Sequence, residues 1–394
     1  MKTETKKRIA ALVLSLGLVL AGHNARSDED APKIYYKDGL HIDSADEKYT
    51  LQLQNRVAMR FTYNALGNGV ADNDTFSIPR GEMRIEGNVF SKKLKYAFEM
   101  NLATRSAAKT AIVCTDAACT AKAAAVTTES TTGLATLNDF YADWIATDGF
   151  GVKVGQFKAP FLMQQLTSST KQQFVDRSLG TGFFDLGRDI GVSLHGDIFN
   201  YHANYSVFFM NGDGPNTENK NQGLLMGARV EVPILGTYKP TESDVEYSET
   251  PNFGVGAAYA YNERGSSFEN STIAAGIKAS HLTLDAGYKY HGISFQGAGM
   301  YSHTNEGTRF TNWGYNTQAG YFIVPKHLEV AAKYSGGIFS DATGAANQYE
   351  YSGALNYYVK GHSIKLQTDY AALKNVNVVG RTDHRFRTQL QVIF

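Results

Sequence analysis

Six arginines lie at positions of matching parity in three segments of alternating residues, two arginines in each segment. A guanidinium group stays charged at any physiological pH, and its planar fork of N–H donors matches the oxygens of a phosphate. Charges that are spaced along a path can bind an ion weakly at several points and still release it. The pattern therefore predicts an anion path, formed by Arg56, Arg60, Arg80, Arg84, Arg385 and Arg387.

The same arginines have a second interpretation, which the sequence leaves open. They can form ion pairs with Glu82, Glu86 or acidic loop residues and only hold the interior of the protein together. The polar faces of the chain carry basic and acidic residues in equal number, so a count of charges does not decide between the two interpretations.

Alternation of apolar and polar residues with period two runs through nearly all of the sequence from Tyr49 onward. In 49–64, for example, Leu51 and Leu53 fall on one face and Gln52 falls on the other. This is the period of a β-strand whose two faces meet different surroundings. It predicts an all-β protein of about sixteen strands at 49–64, 76–90, 93–104, 136–147, 150–159, 188–199, 201–210, 224–233, 253–263, 281–290, 293–303, 313–324, 327–335, 349–359, 362–372 and 382–394.

Short and long connections alternate between the predicted strands. Turns such as His291-Gly292 follow every second strand, and much longer connections follow the others. A transmembrane β-barrel has this asymmetry, with short periplasmic turns and long extracellular loops around antiparallel strands. The exception is 234–252, where a short turn is expected. This acidic stretch is either a solvated loop or a segment folded towards the pore.

The two faces of the predicted strands favour a barrel over a soluble sandwich. The apolar faces are rich in Tyr and Phe near the strand ends, as an aromatic girdle at the two membrane interfaces requires. The opposite faces are polar and charged, so they cannot form a dry core. We therefore expect the apolar faces to contact outer-membrane lipid and the polar faces to line water.

The first 27 residues have the parts of an export signal. Four basic residues fall within the first eight, and the stretch from Ile9 to Gly22 carries no charge. Such a segment is typical of a secretory signal peptide and is too short to cross a membrane as a helix. Cleavage after Ala25 or after Ser27 fits equally well. A short periplasmic segment at 28–48 and the barrel at 49–394 are expected to follow.

An Ala/Thr-rich insertion at 105–135 contains both cysteines of the chain, Cys114 and Cys119. In an exported protein such a close pair predicts a small disulfide that closes a loop. Formal net charge is zero, which argues against a nucleic-acid-binding protein. The chain also lacks the common nucleophile, zinc-protease and phosphate-loop motifs, so we expect no enzyme, cofactor or metal site.

The sequence resembles the phosphate-selective porin family, the porins O and P. The resemblance implies a homotrimer of sixteen-stranded barrels, with a constriction loop folded into each pore and a ladder of arginines along it. Arg56, Arg60, Arg80 and Arg84 match the early strands that carry such a ladder. The resemblance rests on six stretches spread over most of the chain: 76–102, 137–161, 186–197, 208–214, 287–297 and 384–394.

The third long connection, 160–187, is the candidate for the constriction loop. The family would place a cluster of lysines at the throat, whereas this loop has one interior lysine accompanied by two acids. A loop folded over the barrel mouth without contact to ions is the alternative. The basic candidates in the loop and at its ends are Lys158, Lys171, Arg177 and Arg188.

The sequence thus predicts a water-filled diffusion channel in the outer membrane of a Gram-negative bacterium, with a leaning to small anions such as phosphate or polyphosphate. A general porin of weak selectivity is the first alternative. A barrel enzyme would need a Ser/His pair on the lipid face near the outer rim, and the predicted faces lack one. A structural barrel plugged by its own loops would carry no current.

Overall fold

The computed structural model describes residues 31–67, 69–103, 106–114, 122–130, 135–199, 202–219, 223–238, 241–263, 278–304, 311–340, 345–376 and 378–394. Helical turns in these ranges are short, at Met163–Leu166, Ser169–Lys171 and Leu179–Phe184. No helix among the described residues is long and apolar enough to cross a membrane. The predicted signal peptide and the side chains of Cys114 and Cys119 lie outside what the structure describes, and both assignments stay predictions.

The described chain contains twenty β-strands. They are β1 (Lys33–Tyr36), β2 (Leu40–Asp43), β3 (Thr50–Ala65), β4 (Asn73–Asn88), β5 (Leu94–Asn101), β6 (Ser106–Cys114), β7 (Lys122–Ser130), β8 (Thr136–Thr147), β9 (Phe150–Lys158), β10 (Arg188–Ile198), β11 (Ala203–Met210), β12 (Leu225–Leu235), β13 (Asn252–Asn262), β14 (Ala279–Tyr290), β15 (Ile293–Thr304), β16 (Thr311–Val324), β17 (Leu328–Ile338), β18 (Gln348–Lys360), β19 (Ile364–Lys374) and β20 (Thr382–Ile393).

Sixteen of these strands close into one antiparallel barrel. From β8 to β20 each strand pairs with the next, β3 to β5 do the same, β5 pairs with β8, and β20 pairs with β3. The closing register runs from Ile393 opposite Arg56 to His384 opposite Ala65. Every barrel strand is paired on both sides, which satisfies the backbone in a membrane that offers no water. The predicted all-β barrel of sixteen antiparallel strands is confirmed.

Four strands lie outside this barrel count, and alternation did not predict them. The hairpin β1–β2 pairs with the start of β3, with Leu40 opposite Leu53 and Asp43 opposite Thr50. The hairpin thus pairs with the part of β3 that β20 does not reach. The hairpin β6–β7 forms a separate two-stranded sheet within the 105–135 insertion. The four-residue strands β1 and β2 are too short to show a pattern, and β6 and β7 are rich in Ala and Thr and lack clear alternation of apolar and polar residues.

The strands alternate between two surroundings, as their sequences predict. In β14, Leu282 and Leu284 point outward and are exposed, whereas Thr283 and Asp285 point inward and are buried. The turn to β15 is a two-residue hairpin in which His291 and Gly292 both have positive φ, 47° and 80°. That combination is a type I′ turn, whose twist matches the strands and which favours glycine.

The connection 159–187 fills part of the barrel interior. Its two ends contribute Phe161, Leu162 and Phe184 to a buried apolar cluster with wall residues such as Phe208 and Met300. Because apolar side chains that face inward need an apolar partner, this cluster fixes both ends of the loop against the wall. The loop is therefore packed inside the barrel rather than folded over its mouth.

Candidate functional site

The middle of this loop is held by wall residues through hydrogen bonds to its backbone. Lys365 Nζ donates to the carbonyl of Gln172 at 2.7 Å, and the Val175 amide donates to Asp369 Oδ2 at 3.2 Å. We call residues 159–187 the constriction loop, after the prediction made from the sequence. Side chains of β3, β4, β12, β14 and β20 bind the loop, and the cavity below it is bordered mainly by β3–β5 and β8–β12.

Strand register sets the order of the six arginines along the wall. On β20, Arg385 lies opposite Asn64 and Arg387 lies opposite Thr62, towards the extracellular end. On β4, Arg80 lies opposite Ala58 and Arg84 lies opposite Gln54, towards the periplasm. At ~3.3 Å per residue, the distance from Asn64 to Gln54 is about 33 Å along the strand. Arg60 and Arg56 on β3 fall between these ends, so the arginines form a vertical series.

The upper part of this series surrounds one carboxylate of the constriction loop. Arg60 binds both oxygens of Asp176 at 2.9 Å, Arg387 binds it at 2.5 Å, and Arg80 lies 3.4 Å from it. Arg387 also binds Asp369 at 2.6 Å and 2.8 Å. We call these five residues the Asp176 cluster. The sequence predicted acidic loop residues as possible partners of these arginines but did not identify Asp176 among them.

Asp176 lies in a loop and not in a membrane-spanning strand. Burial alone would raise its pKa, but Arg387, Arg60 and Arg80 outweigh burial and hold the pKa of Asp176 well below its usual range. The carboxylate is therefore ionised at any pH at which a porin works. Its side chain is 39% exposed, while the three arginines are 11% exposed or less, so the acid is the more accessible partner here.

Arg385 stands apart from the other five arginines. The described residues provide it with no hydrogen bond or ion pair, and its Nε is buried without a partner. It lies beside Arg387 and near the carboxylates of Asp176 and Glu350. This arginine adds a positive charge at the extracellular end of the series.

The lower part of the series gathers around Glu99 on β5. Arg56 and Arg84 donate to its Oε2 at 3.1 Å and 3.0 Å, and Arg188 donates to its Oε1 at 3.2 Å. Arg188 and Arg84 also bind Asp139, at 2.8 Å and 3.2 Å. We call these five residues the Glu99 cluster. Of the acids suggested from sequence, Glu86 pairs with Arg84 at 2.8 Å, and Glu82 lies 3.8 Å from Arg56.

The two signs of charge in the Glu99 cluster differ in their access to the lumen. The arginine side chains are 13% to 21% exposed, whereas Glu99 is 4% and Asp139 is 11% exposed. Glu99 is therefore the most buried member of the cluster, and the three guanidinium groups are more accessible than it is.

Two further cations, Lys158 at the end of β9 and Arg177 in the constriction loop, are bound by backbone carbonyl groups of the loop. We call the region around these two side chains the throat. Lys158 Nζ donates to the carbonyls of Gln165 at 2.7 Å and Thr167 at 3.4 Å. Arg177 donates to Gln164, Gln165 and Thr167 carbonyls at 3.0 to 3.3 Å. Burial lowers the pKa of Arg177, a loop residue, to about 10, which still leaves it protonated at neutral pH.

A cavity of about 1510 Å³ extends below the constriction loop to the periplasmic rim. The Glu99 cluster and Lys158 line its upper part, and Lys95 and Lys171 also border it. Both of these lysines are exposed, and the described residues supply no ion pair to either side chain. The Asp176 cluster and Arg177 do not border this cavity. The sequence-predicted residues thus fall into two tiers rather than one wall.

A protein-family model matches most of the chain. The model of the family described as phosphate-selective porin O and P matches residues 51–394 of this chain. An uncharacterized protein from Aquifex aeolicus (strain VF5) is 24% identical over 265 residues, which cover 57% of this chain and 60% of that protein. The chain therefore spans less than two thirds of the length of this curated relative.

Solved structures share the fold. An anion-selective porin from Comamonas acidovorans has a TM-score of 0.58 and 12% identity, covering 87% of this chain and 99% of that one. Salmonella typhi OmpF in complex with daunomycin has a TM-score of 0.56 and 14% identity, covering 92% and 100%. Vibrio cholerae OmpT in its trimer form has a TM-score of 0.54 and 9% identity, covering 88% and 99%.

The family match covers nearly the whole barrel, and the closed sixteen-stranded architecture agrees with it. Family match and fold both point to a porin, a channel-forming protein of the outer membrane. The chain belongs to the phosphate-selective porin O and P family.

Proposed function

We propose that this porin conducts small anions, with phosphate and short polyphosphates among them, along the part of the lumen bordered by β3–β5 and β8–β12. The observation that carries the proposal is the throat, where Lys158 and Arg177 donate to backbone carbonyls and not to carboxylates. A carbonyl is a dipole and cancels no formal charge. Arg177, which is protonated at neutral pH, therefore keeps a net charge that attracts an anion entering the constriction, and Lys158 lies beside it on the same carbonyls.

The Glu99 cluster supports the same direction of selectivity. A permeating ion interacts most strongly with groups that reach the water of the lumen, and the three guanidinium groups of this cluster are more exposed than the Glu99 carboxylate that they share. Each guanidinium offers a planar fork of donors for phosphate oxygens. Below the cluster, the exposed side chains of Lys95 and Lys171 extend the positive surface into the cavity. Several separated cations favour passage over retention.

A general porin of weak selectivity is the second candidate. Asp176 is more exposed than its arginine partners, and Glu86 and Glu231, at 40% and 36% exposed, also border the lumen. These accessible acids oppose the attraction of anions. Which sign prevails at the narrowest point decides between a selective and a general channel.

Chloride current through single channels in a planar bilayer tests for a phosphate site. We expect added phosphate at millimolar concentration or below to reduce the chloride current, because phosphate occupies the same cations more strongly. No reduction even at high phosphate concentration would remove phosphate from the proposal and leave a weakly selective porin.

Arg84→Ala tests the contribution of the Glu99 cluster. Removing this guanidinium leaves Glu99 and Asp139 with fewer positive partners, so phosphate should block less and the reversal potential should move towards cations. Lys92→Ala is the matched control, because Lys92 is an exposed cation in a periplasmic turn away from the cavity. An Arg84→Ala channel with unchanged block and reversal potential would contradict a role for this cluster.

We further infer three properties that concern the whole assembly. A homotrimer is supported by the family resemblance and by the trimer form of one similar structure. Contact with outer-membrane lipid is supported by outward residues such as Leu284 and Tyr321, which are 61% and 52% exposed. Residues 1–27 are proposed as the export signal on sequence alone.

A further inference from the structure

The periplasmic connection between β12 and β13, residues 236–251, enters the barrel. Other periplasmic connections between barrel strands in the described ranges are turns of five residues or fewer. In this one, Glu242, Ser243 and Asp244 are buried. Asp244 accepts hydrogen bonds from the amides of Ser248 and Gly292, and Lys289 binds Thr241, so the segment is fixed to the wall at β14 and its turn. We call residues 236–251 the periplasmic segment.

Glu242 joins the periplasmic segment to the constriction loop at three points. Its Oε2 accepts a hydrogen bond from the Gln173 amide at 2.7 Å, and its Oε1 accepts one from Gln164 Nε2 at 3.0 Å. Its own amide donates to the carbonyl of Lys171 at 3.3 Å. No ion pair to Glu242 occurs among the described residues. The carboxylate thus acts as a buried acceptor for the loop.

A second buried carboxylate completes the connection. Glu329 on β17 accepts hydrogen bonds from Gln173 Nε2 at 2.6 Å and from Ser243 Oγ at 3.0 Å. It also accepts from wall residues Asn356 and Tyr358 at 3.0 Å and 2.7 Å. Loop, periplasmic segment and wall therefore meet at Gln173. Buried networks of this kind are rigid only when every member is satisfied.

The contacts of Glu242 lead directly to the cations of the throat. Gln164 and Gln173 enclose the stretch whose carbonyls bind Lys158 and Arg177. Holding this stretch in place holds both cations in place, since their acceptors cannot move independently of it. The periplasmic segment thereby acts on the throat without lining its narrowest point.

We propose that Glu242 is a positioning residue that sets the width and charge geometry of the throat by tying the constriction loop to the periplasmic segment. This inference rests on the proposed function, because it requires an ion path beside the loop. Loss of the carboxylate leaves two loop donors without their acceptor. The loop then samples displaced positions in which the carbonyl ligands of Lys158 and Arg177 are rearranged.

Glu242→Ala recorded as single channels in planar bilayers is the test, with Glu246→Ala as the matched control. Glu246 lies on the same segment, is exposed, borders the cavity and loses the same charge. Losing hydrogen bonds to a charged acceptor should raise the population of displaced loop states on the order of tenfold or more. We expect the time spent in additional conductance levels to rise accordingly in Glu242→Ala and to stay at the wild-type value in Glu246→Ala.

Gln164→Ala removes the side-chain donor to Glu242, together with the hydrogen bonds of this side chain to Gln318 and Ser178, and provides a second variant. It should produce the same additional levels, so the inference stays testable if Glu242→Ala does not fold into a barrel. Wild-type current levels in whichever of these variants folds would overturn the inference. So would equal changes in Glu242→Ala and Glu246→Ala, since that result would assign the effect to charge alone. A wild-type channel without anion preference would instead contradict the proposed function.

Discussion

At the residue scale, the acceptor of each cation decides what that cation contributes to the lumen. Arg60 and Arg387 share Asp176, so part of their charge is cancelled locally. Lys158 and Arg177 are bound by backbone carbonyls, which carry no formal charge to oppose theirs. The sequence predicted which residues are basic and which face they occupy. It could not predict these acceptors, because they are brought together by a loop that folds across the barrel.

Replacing Lys158 and Arg177 by glutamine should lower the preference for anions. Two unit charges 4 Å apart in water interact by about 1 kcal/mol, so the loss of each should change the permeability ratio several-fold. The reversal potential in a KCl gradient measures this ratio. Lys326→Gln, in a periplasmic turn, is the control for net charge and should leave the potential unchanged. An unchanged potential in the double variant would exclude both cations from the path.

Asp176→Asn should have the opposite effect. It removes the shared partner of Arg60, Arg80 and Arg387, so the preference for anions should increase. Because these arginines hold the pKa of Asp176 below its usual range, the wild-type carboxylate stays ionised as the pH falls below about 4, the ordinary carboxyl value. The difference in reversal potential between wild type and Asp176→Asn should therefore persist at about pH 3, where a carboxyl of ordinary pKa is mostly protonated. A difference that vanishes there would show an ordinary pKa.

At the element scale, strands and loops differ in how far sequence predicts them. Alternation alone predicts which face of the sheet Thr283 and Leu284 of β14 occupy. The periplasmic segment gave no such signal, because its acids have the composition of a solvated loop. Its path depends on partners such as Gln164 and Glu329, which are distant in sequence. The hairpin β1–β2 was missed because its strands have four residues each, and the hairpin β6–β7 was missed because its strands lack clear alternation.

Gly180→Ala should displace the constriction loop without opening the barrel. A Cβ at this position would lie 2.4 Å from the Tyr315 carbonyl oxygen and 2.9 Å from that of Gly336. Such overpacking against backbone costs about 1–3 kcal/mol, and the loop is easier to move than two paired strands. Protease cleavage within 160–187 and single-channel conductance should both change. Gly299→Ala, which has no atom within 4 Å of the added Cβ, should match wild type in both measurements.

At the scale of the whole molecule, the barrel wall could be predicted from the sequence, whereas the arrangement of the segments inside it could not. Closure of β20 on β3 follows from backbone pairing and an even number of strands, and alternation was enough to predict it. The contents are a packed interior of two inward-folded segments around an apolar cluster and two charge clusters. The cavity below the constriction loop is bordered by the Glu99 cluster and by the exposed lysines Lys95 and Lys171.

Anion conduction by this porin is tested by the reversal potential of single channels in a planar bilayer with a KCl gradient. We expect discrete current steps, with a reversal potential displaced from zero towards the equilibrium potential of chloride. A reversal potential displaced towards that of potassium, or a membrane that shows no steps, would exclude an anion-preferring channel.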